Sequence, residues 1–439
     1  MTETLTITGL SHGSRAIAHT AEGKVAFVSG AFPQDVVEAE ITKETNSFVE
    51  ARTTKILEPS PLRERPACPH AGICGGCPWM GLSYDAQLEA KRTDVVNQLC
   101  RVGGVPREQA EELVAPAVGS KRQMGYRNKL ELAAFQDARG HFQLGFHEQG
   151  SANLAAPKTC PVAARGIEKA PGALRGALSF LSRSGDLGIF RVGVRHSLRT
   201  KDTEIALWTT PGPFPRAQVA KTLGDALKCT SIVRVMADPG RARKVKGVER
   251  LSGKGCWEEQ LGDFRYLISA PSFFQVNTAQ AEKMIKLVID GLDLGEDDVV
   301  ADLYCGAGTF TLPLADYADE VFAVESAASS VRDLRRNLET NGTWAEVIGG
   351  DSARELPLLG HLDALVVDPP RAGLAKGVAE SIAEAGPEKL AYVSCDPATW
   401  ARDIARLRNV GYELISATPV DLFPQTYHIE TVSILKKMK

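Results

Sequence analysis

The pattern of hydrophobic and polar residues predicts a small β module at the start of the chain. Short runs of alternating apolar and polar residues cover positions 5–8, 24–28, 35–41 and 48–52, with glycine and proline between them. Such alternation is typical of strands that bury one face. Short strands at this spacing predict a small barrel of the oligonucleotide-binding type over residues 1–58.

The pattern changes near residue 299 to alternating strands and helices. Strand-like runs cover 299–304, 320–324, 346–350, 362–367 and 389–394, and helical patterns cover 329–340 and 398–408. This alternation predicts right-handed βαβ units and a parallel sheet. A further alternating run at 427–435 predicts a late antiparallel strand. A doubly wound α/β sheet with this ending is the typical layout of methyltransferase domains.

The middle of the chain gives a weaker signal. A linker with Pro59, Pro61 and Pro66 leads into a cysteine-rich loop, and residues 84–101 have a helical pattern. Residues 121–270 contain many strand-like runs, whose order the sequence does not predict.

Length favours more than one domain, because 439 residues exceed what a single core usually supports. We predict domains at 1–58, 59–270 and 271–439. The helix at 84–101 is a candidate for packing on the third domain.

Composition and charge narrow the possible classes. The chain is 44% hydrophobic and 24% charged, which is ordinary for a soluble protein. No apolar stretch approaches the roughly 18 residues that span a bilayer, and the start lacks a signal-peptide pattern, so a cytoplasmic protein without membrane contacts is expected. The net charge of −3 gives no global basic signature, so nucleic-acid binding must rest on local segments. Nine cysteines in such a chain favour metal binding or catalysis over a disulfide framework.

A glycine-containing turn follows the strand near residue 299 and precedes a helix. Gly306 and Gly308 let the backbone approach a ligand closely, although Thr311 stands where a dinucleotide fingerprint has its third glycine. Glu325, at the end of the next strand, can accept hydrogen bonds from a ribose diol, and Asp351 ends a third strand-like run. A structural turn and solvated strand ends remain alternatives. In combination these residues favour S-adenosylmethionine over NAD.

Chemistry-bearing residues follow the next strands. Cys395 lies where an apolar strand meets a turn and helix, so a thiolate there could attack a bound ring, and the helix N-terminus would favour the anion. A buried structural cysteine is the alternative. Enzymes that methylate an exocyclic amine have an aromatic residue after Asp-Pro-Pro, but here Arg371 follows Asp368-Pro-Pro, so an amine target is disfavoured. Enzymes that methylate C5 of cytosine have a Pro-Cys pair in this loop, and that pair is also absent from the sequence. The late strand supplies a candidate base through His428 and Glu430.

Three cysteines, Cys68, Cys74 and Cys77, lie within ten residues, and Cys160 is a plausible fourth ligand. Four thiolates suit either tetrahedral zinc or a [4Fe–4S] cluster. Zinc sites usually have two paired knuckles, which this spacing fits less well.

These motifs together resemble the RNA (uracil-5-)-methyltransferase family, most closely its iron–sulfur branch that methylates 23S ribosomal RNA. The motifs are the cysteine set, Ser272–Asn277, Asp302–Gly308, Asp368–Gly373, Ser394–Thr399 and His428–Val432. The N-terminal module is similar to a TRAM domain. The resemblance implies an α/β fold with a Rossmann-like S-adenosylmethionine methyltransferase domain, an N-terminal OB/TRAM-like barrel and a central β-rich iron–sulfur domain.

The resemblance also implies roles for individual residues. Cys395 would be the nucleophile, Glu430 the base and Asp368 the residue that orients the uracil. The cofactor pocket would be lined by Gln275, Tyr304, Thr309, Glu325, Asp351 and Asp368. The [4Fe–4S] cluster would be bound by Cys68, Cys74, Cys77 and Cys160. Gln275 and Arg371 are candidate donors to the ring oxygens.

The implied reaction is C5-methylation of a uridine through a covalent Cys395–C6 adduct, by a monomer. Because the ring is attacked from both faces, a flipped or single-stranded uridine is expected. The preferred substrate is 23S rRNA. The alternatives are the same reaction on tRNA and a ribosome-assembly factor that binds RNA without catalysis.

Candidate RNA contacts are local basic segments with aromatic neighbours. The basic segments are 121–129, 191–201, and 241–246 with Arg250. The aromatic neighbours are Tyr126, Phe190, His196 and Trp257. Phe273 and Phe274 are candidates either for the core or for stacking on a flipped base, with at least one expected in the core.

Overall fold

The computed structural model describes residues 2–137, 139–240 and 244–438. Its first sheet has six strands in the order β1-β5-β6-β4-β3-β2. They are β1 (Thr2–Thr6), β2 (Gly9–Leu10), β3 (Ala16–His19), β4 (Val25–Ser29), β5 (Val36–Glu44) and β6 (Phe48–Glu58). The two outermost strands, β1 and β2, are consecutive in the chain. The segment between them joins the two edges of the sheet. Ile7 N donates to Asp35 O, next to β5, and Thr8 N donates to Ile17 O in β3, so the sheet closes into a barrel. The six strands confirm the predicted small β module.

Two helices follow the barrel, α1 (Tyr84–Arg101) and α2 (Arg107–Leu113). The predicted helix pattern at 84–101 matches α1 along its whole length. Its apolar face, with Val95, Val96 and Leu99, is buried in a core shared with the C-terminal sheet. The helix therefore packs on the part of the chain that carries the candidate catalytic residues.

The central part of the chain forms a seven-stranded mixed sheet in the order β13-β12-β11-β10-β7-β8-β9. Its strands are β7 (Lys129–Gln136), β8 (Phe142–His147), β9 (Leu154–Ala155), β10 (Ile189–His196), β11 (Thr203–Thr209), β12 (Ser231–Ala237) and β13 (Val245–Gly253). Two helices, α3 (Ala170–Leu181) and α4 (Arg216–Ala226), pack on it around a core of leucine, isoleucine and valine. The sequence pattern predicted neither helix nor strand order here.

The hairpin β14 (Trp257–Leu261) and β15 (Phe264–Ile268) leaves the central sheet and packs in the C-terminal core. The predicted domain boundaries after residues 58 and 270 stay predictions. Because this hairpin packs with the C-terminal core, it favours a boundary before residue 257 rather than after residue 270.

The C-terminal sheet also has seven strands, in the order β18-β17-β16-β19-β20-β22-β21. They are β16 (Val299–Leu303), β17 (Glu320–Glu325), β18 (Glu346–Gly349), β19 (Ala364–Val367), β20 (Lys389–Ser394), β21 (Tyr412–Val420) and β22 (Glu430–Lys437). The first five are parallel, as predicted, and β22 runs antiparallel to β20 and β21.

Helices join these strands and cover both faces of the sheet. They are α5 (Thr278–Leu292), α6 (Thr311–Leu314), α7 (Ala328–Asn341), α8 (Ser352–Glu355), α9 (Val378–Ala385) and α10 (Pro397–Asn409). The last strand differs from its predicted alternation, because its first six residues are all buried. It lies between β20 and β21 rather than at the edge, so both faces are covered. Within the described parts of the chain, no helix combines the length and apolarity that a membrane crossing requires.

Candidate active site

The turn after β16 holds its backbone in conformations that favour glycine. Gly306 and Gly308 have φ angles of 58° and 96°. A Cβ at Gly308 would stand 2.5 Å from a methyl group of Leu312 and 2.6 Å from one of Leu334, so this glycine allows close packing beneath the turn. A Cβ at Gly306 would meet nothing within 4 Å. The turn therefore has one packed side and one open side.

Carboxylates surround this turn. Glu325 accepts hydrogen bonds from Gly306 N at 3.0 Å and from Ala327 N at 2.6 Å, so it fixes the turn relative to the next helix. A carboxylate has about four acceptor sites, which leaves capacity for a ligand hydroxyl. Asp351 caps α8 by accepting from Ala353 N and otherwise faces solvent. Tyr304 is half-buried, and burial together with Asp351 raises its pKa.

Asp302 lies beneath the turn, and the sequence pattern assigned it no individual role. It is fully buried, and Thr311 Oγ1 donates to its Oδ2 at 2.6 Å. Burial raises the pKa of Asp302 to about 7, and the charges of Asp368 and Glu325 add to this effect. Thr311, which replaces the third glycine of a dinucleotide fingerprint, thus stabilises the carboxylate. The presence of threonine instead of glycine at position 311 was the sequence signal from which the Thr311–Asp302 contact could have been predicted.

The remaining predicted cofactor residues are Gln275 and Thr309. Both are buried. The backbone of Gln275 is fixed by Asn128, whose Nδ2 donates to Gln275 O at 2.9 Å. The side-chain amide of Gln275 has no hydrogen-bond partner among the described residues, so it is available to a ligand.

The strand register brings Cys395 and Glu430 together. In the antiparallel pair of β20 and β22, Ser394 lies opposite Thr431, so the next residues along, Cys395 and Glu430, are neighbours. Directly opposed residues in such a pair have Cα atoms about 4.5–5.5 Å apart. Asp368 follows the adjacent parallel strand β19 and ends at the same edge of the sheet.

The environment of Cys395 disfavours the thiolate in the free protein. Burial raises its pKa to about 12, with added contributions from Glu430 and Asp368, while Arg371 acts in the opposite direction. Asp396 caps α10 by accepting from Thr399 N at 2.9 Å. The expected stabilisation of the anion by this helix N-terminus is therefore outweighed by burial and by the neighbouring carboxyls.

The carboxyl groups opposite Cys395 also bind protons more tightly than usual. Burial raises the pKa of Asp368 to about 7. Burial and the charge of Asp368 raise the pKa of Glu430 well above its ordinary value. A carboxylate of raised pKa is a stronger base, so Glu430 is suited to accept a proton from carbon.

His428 and Arg371 form a neighbouring polar pair. Arg371 Nη2 lies 3.2 Å from His428 Nδ1, and an arginine can only donate, so His428 accepts. Burial and the charge of Arg371 lower the pKa of His428 to about 4, which keeps the imidazole neutral.

Cys68, Cys74, Cys77 and Cys160 line one cavity of about 150 Å³. The structure thus brings together the four predicted metal ligands from two distant segments, and all four are unpaired thiols. Burial raises the pKa of Cys77 to about 12 and that of Cys160 to about 11. Among the described residues, no group of three or more acidic, histidine or cysteine side chains is arranged to hold a single metal ion.

The predicted RNA segments have mixed outcomes. Tyr126 and Trp257 are buried in cores, so their prediction as stacking partners is wrong. The Arg191 guanidinium lies over the Trp208 ring, 4.1 Å from its centroid. Phe274 is buried and Phe273 is 64% exposed, which assigns one to the core and leaves the other accessible. Positions 241–243 of the third basic segment lie outside the described residues.

The barrel touches the catalytic edge directly. His12 Nδ1 lies 2.8 Å from Asp94 Oδ2 on α1, and His12 Nε2 lies 4.0 Å from Asp396 Oδ2. A groove of about 930 Å³ runs between the barrel and α1 and reaches Tyr427. The barrel is therefore placed beside the residue that follows Cys395.

Known proteins match the chain along nearly its whole length. The family model "tRNA (Uracil-5-)-methyltransferase" matches residues 249–357 and 360–438, and the TRAM domain model matches residues 1–54. An uncharacterized RNA methyltransferase of Gloeobacter violaceus is 36% identical over 99% of this chain and 96% of its own length. The 23S rRNA (uracil(1939)-C(5))-methyltransferase RlmD of Alkalilimnicola ehrlichii is 34% identical over the same shares.

A solved structure agrees with these relatives. The Pyrococcus abyssi tRNA (uracil-54, C5)-methyltransferase in complex with S-adenosyl-L-homocysteine superposes with a TM-score of 0.77 at 25% identity and covers 99% of both chains. The C-terminal sheet thus has the fold of an S-adenosylmethionine-dependent methyltransferase, with a TRAM domain before it. The chain belongs to the RNA (uracil-5-)-methyltransferase family.

Proposed function

We propose that this protein methylates C5 of a uridine in RNA through a covalent bond between Cys395 and C6 of the ring. The observation that carries the proposal is the strand register that makes Cys395 and Glu430 neighbours at the edge of the sheet. A nucleophile and a base at this separation can act on adjacent atoms of one ring.

Cys395 starts the reaction. Uracil C5 is a poor nucleophile, and addition of sulfur at C6 converts the ring to an enolate with electron density at C5. The attacking species is the Cys395 thiolate, so the thiol proton passes to solvent as the C6–S bond forms, and burial, which raises the pKa of the thiol to about 12, opposes this loss. Arg371, whose charge favours the thiolate, is also placed to donate a hydrogen bond to an oxygen of the enolate.

Glu430 completes the reaction and Asp368 orients the ring. Bound S-adenosylmethionine would supply an electrophilic methyl group for C5 and would leave as S-adenosylhomocysteine. The Glu430 carboxylate then removes the C5 proton, the C5–C6 double bond forms again, and the C6–S bond breaks to release the Cys395 thiolate. Asp368, buried at the end of β19, accepts or shares a proton with the ring and thereby fixes its orientation.

The cofactor pocket lies on the open side of the Gly306 turn. We assign Gln275, Tyr304, Thr309, Glu325, Asp351 and Asp368 to it. The open space above Gly306 and the acceptor capacity of Glu325 support this assignment. The same edge of the sheet carries Cys395, which places the methyl donor next to the ring.

We propose that the cavity lined by Cys68, Cys74, Cys77 and Cys160 binds a [4Fe–4S] cluster rather than zinc. Zinc with Zn–S bonds of about 2.3 Å draws four sulfurs to about 3.8 Å from one another. A four-iron cluster binds each thiolate at a different iron and needs a wider arrangement. The support for the cluster is that four cysteines from two distant segments line one cavity.

We propose 23S rRNA as the substrate. A relative named for 23S rRNA methylation shares 34% identity over 99% of this chain. The tRNA alternative is supported by the likeness to the Pyrococcus tRNA enzyme at 25% identity. The groove between the barrel and α1, which ends at Tyr427, gives an RNA strand a path towards Cys395.

The test is methyl transfer to defined RNAs. Anaerobically purified protein is incubated with methyl-labelled S-adenosylmethionine and either unmodified 23S rRNA or tRNA, and the nucleosides are analysed by mass spectrometry. We expect labelled 5-methyluridine in 23S rRNA, no product with Cys395→Ala, and a methylated RNA–protein adduct with Glu430→Gln. Label in tRNA alone would overturn the substrate assignment. Full product release by Glu430→Gln would remove Glu430 from the role of base.

A further inference from the structure

The loop of residues 421–429 leads directly into Glu430. It joins β21 to β22, and the strand pairing on either side of it ends at Val420 opposite Glu430. A change in the loop would therefore move the first residue of β22 directly. The loop matters for catalysis only if Glu430 has its proposed role as the base.

A fully buried ion pair holds the start of this loop to α1. Lys91 Nζ lies 2.5 Å from Asp421 Oδ1, and neither side chain is exposed. Lys91 also donates to Phe423 O at 3.2 Å, while Tyr84 donates its hydroxyl to Asp421 Oδ2 at 2.7 Å. Phe423 N donates to the Asp421 carboxylate at 3.1 Å. Two side chains of one helix thus fix both oxygens of Asp421 and a backbone carbonyl of the loop.

The middle of the loop is held by further buried contacts. Gln425 N donates to Gln87 Oε1 at 2.9 Å, and Gln87 Nε2 donates back to Gln425 Oε1 at 3.2 Å. Trp79 N, two residues after Cys77, donates to Gln425 O at 3.1 Å. Gln425 has a φ of 71°, a conformation that non-glycine residues adopt rarely and only where surroundings enforce it.

Stability alone does not account for the ion pair. Removing two charges from water is costly, and apolar residues of similar volume usually stabilise a fold as well or better. In some proteins buried charged pairs instead specify one arrangement of the segments that they join. Here the segments are α1 and the loop that ends at Glu430.

We propose that Lys91, paired with Asp421 and assisted by Tyr84, is a positioning residue that sets Glu430 for removal of the C5 proton. The pair acts through the backbone of the loop and does not contact the ring. Misplacement of a reacting group by about 1 Å is sufficient to slow a reaction about a hundredfold. Proton removal follows methyl transfer, so a misplaced base leaves the methylated adduct in place.

The experiment compares Lys91→Met with Arg92→Met. Arg92 is the next residue of α1 and donates to Glu111 O and Val114 O, away from the loop. Rapid-quench reactions with RNA and labelled S-adenosylmethionine measure methyl transfer, covalent adduct and released 5-methyluridine separately. We expect Lys91→Met to release product about a hundredfold more slowly and to accumulate methylated adduct, with the KM for S-adenosylmethionine changed less than twofold. Arg92→Met should release product at the wild-type rate.

Two further measurements keep the test decisive. Amide hydrogen exchange in residues 421–429 should be faster in Lys91→Met and unchanged in Arg92→Met. If Lys91→Met does not fold, Tyr84→Phe removes one donor to Asp421, keeps the ion pair, and should slow release about tenfold with the same adduct. The proposal would be overturned if folded Lys91→Met and Tyr84→Phe release methylated RNA at the wild-type rate and accumulate no covalent adduct. This conclusion requires that Glu430→Gln traps the adduct in the same assay. Absence of methylation by the wild-type protein would instead overturn the proposed function on which this role depends.

Discussion

The two glycines of the cofactor turn separate a packing effect from a binding effect. Gly306 and Gly308 both have positive φ angles, so alanine at either position costs about 1–2 kcal/mol in backbone strain. At Gly308 the added Cβ would also stand 2.5 and 2.6 Å from two leucine methyl groups. Overpacking of this kind costs about 1–3 kcal/mol. We expect Gly308→Ala to lower the free energy of unfolding by about 2–5 kcal/mol and Gly306→Ala by about 1–2 kcal/mol.

Binding of S-adenosylmethionine should show the opposite order. The Cβ of Gly306→Ala would meet no protein atom within 4 Å, so it projects into the space assigned to the cofactor. The added methyl group would then clash with the bound cofactor and not with the protein, so it raises the free energy of the complex. A penalty of about 1.4 kcal/mol weakens binding tenfold. We expect the Kd of Gly306→Ala to rise at least about tenfold.

The assays are urea unfolding of the cofactor-free proteins and calorimetric titration with S-adenosylmethionine. Equal stability of the two variants would refute the packing argument at Gly308. Wild-type affinity in Gly306→Ala would refute the placement of the cofactor on the open side of the turn, whatever the stability result.

Three further predictions concern other parts of the protein. The pKa of Asp302 is raised to about 7, so the folded state holds a proton that the unfolded chain has lost above about pH 4, and stability falls as the pH rises from about 4 through 7. Asp302→Asn should reduce this decrease in the free energy of unfolding by up to about 4 kcal/mol. Urea unfolding of the cofactor-free protein between about pH 4 and 7 measures it, and the same pH dependence in the variant and the wild type would contradict the prediction. Phe274→Ala should destabilise the protein by about 3–5 kcal/mol because the ring is buried, whereas Phe273→Ala, at an exposed ring, should leave stability within about 0.5 kcal/mol. In RNA-binding titrations Phe273→Ala should lose about 1–3 kcal/mol if that ring stacks on a base, and full affinity would exclude stacking. Cys77→Ser should abolish iron binding, seen by absorbance, and speed amide exchange in residues 421–429, while Cys229→Ser, a half-buried cysteine outside the pocket, should do neither.

The alternating half of the fold was predictable because its signals are local. Each parallel strand is a short apolar run, and each turn that follows carries polar residues such as Glu325 or Asp368 at the same edge of the sheet. The sequence predicted only part of what makes Cys395 and Glu430 neighbours. It indicates a late antiparallel strand but not the register in which that strand pairs with β20.

The central sheet was not predictable in its order, because its pairs join distant strands. The parallel pairing of β11 with β12, for example, places Glu204 opposite Ser231 across an intervening helix. Helix α3 did carry a usable signal, with Leu174, Leu178 and Leu181 at helical spacing on its buried face. The burial of Tyr126 had no such signal, since its hydroxyl bonds to Pro424 O, which lies 298 residues further along the chain.

The environment of Cys395 in the free protein favours the thiol over the thiolate. Burial raises the pKa of Cys395 to about 12, and the charges of Glu430 and Asp368 add to this effect. In the proposed mechanism Glu430 has a second role once the ring is bound, because a raised pKa makes its carboxylate a stronger base towards carbon. The same mechanism gives Arg371 two roles, since its charge favours the thiolate and its guanidinium is the proposed donor to the enolate oxygen. If the mechanism holds, the electrostatic cost falls on the free state, and we expect the rate of attack to depend on binding of the base as well as on the thiol.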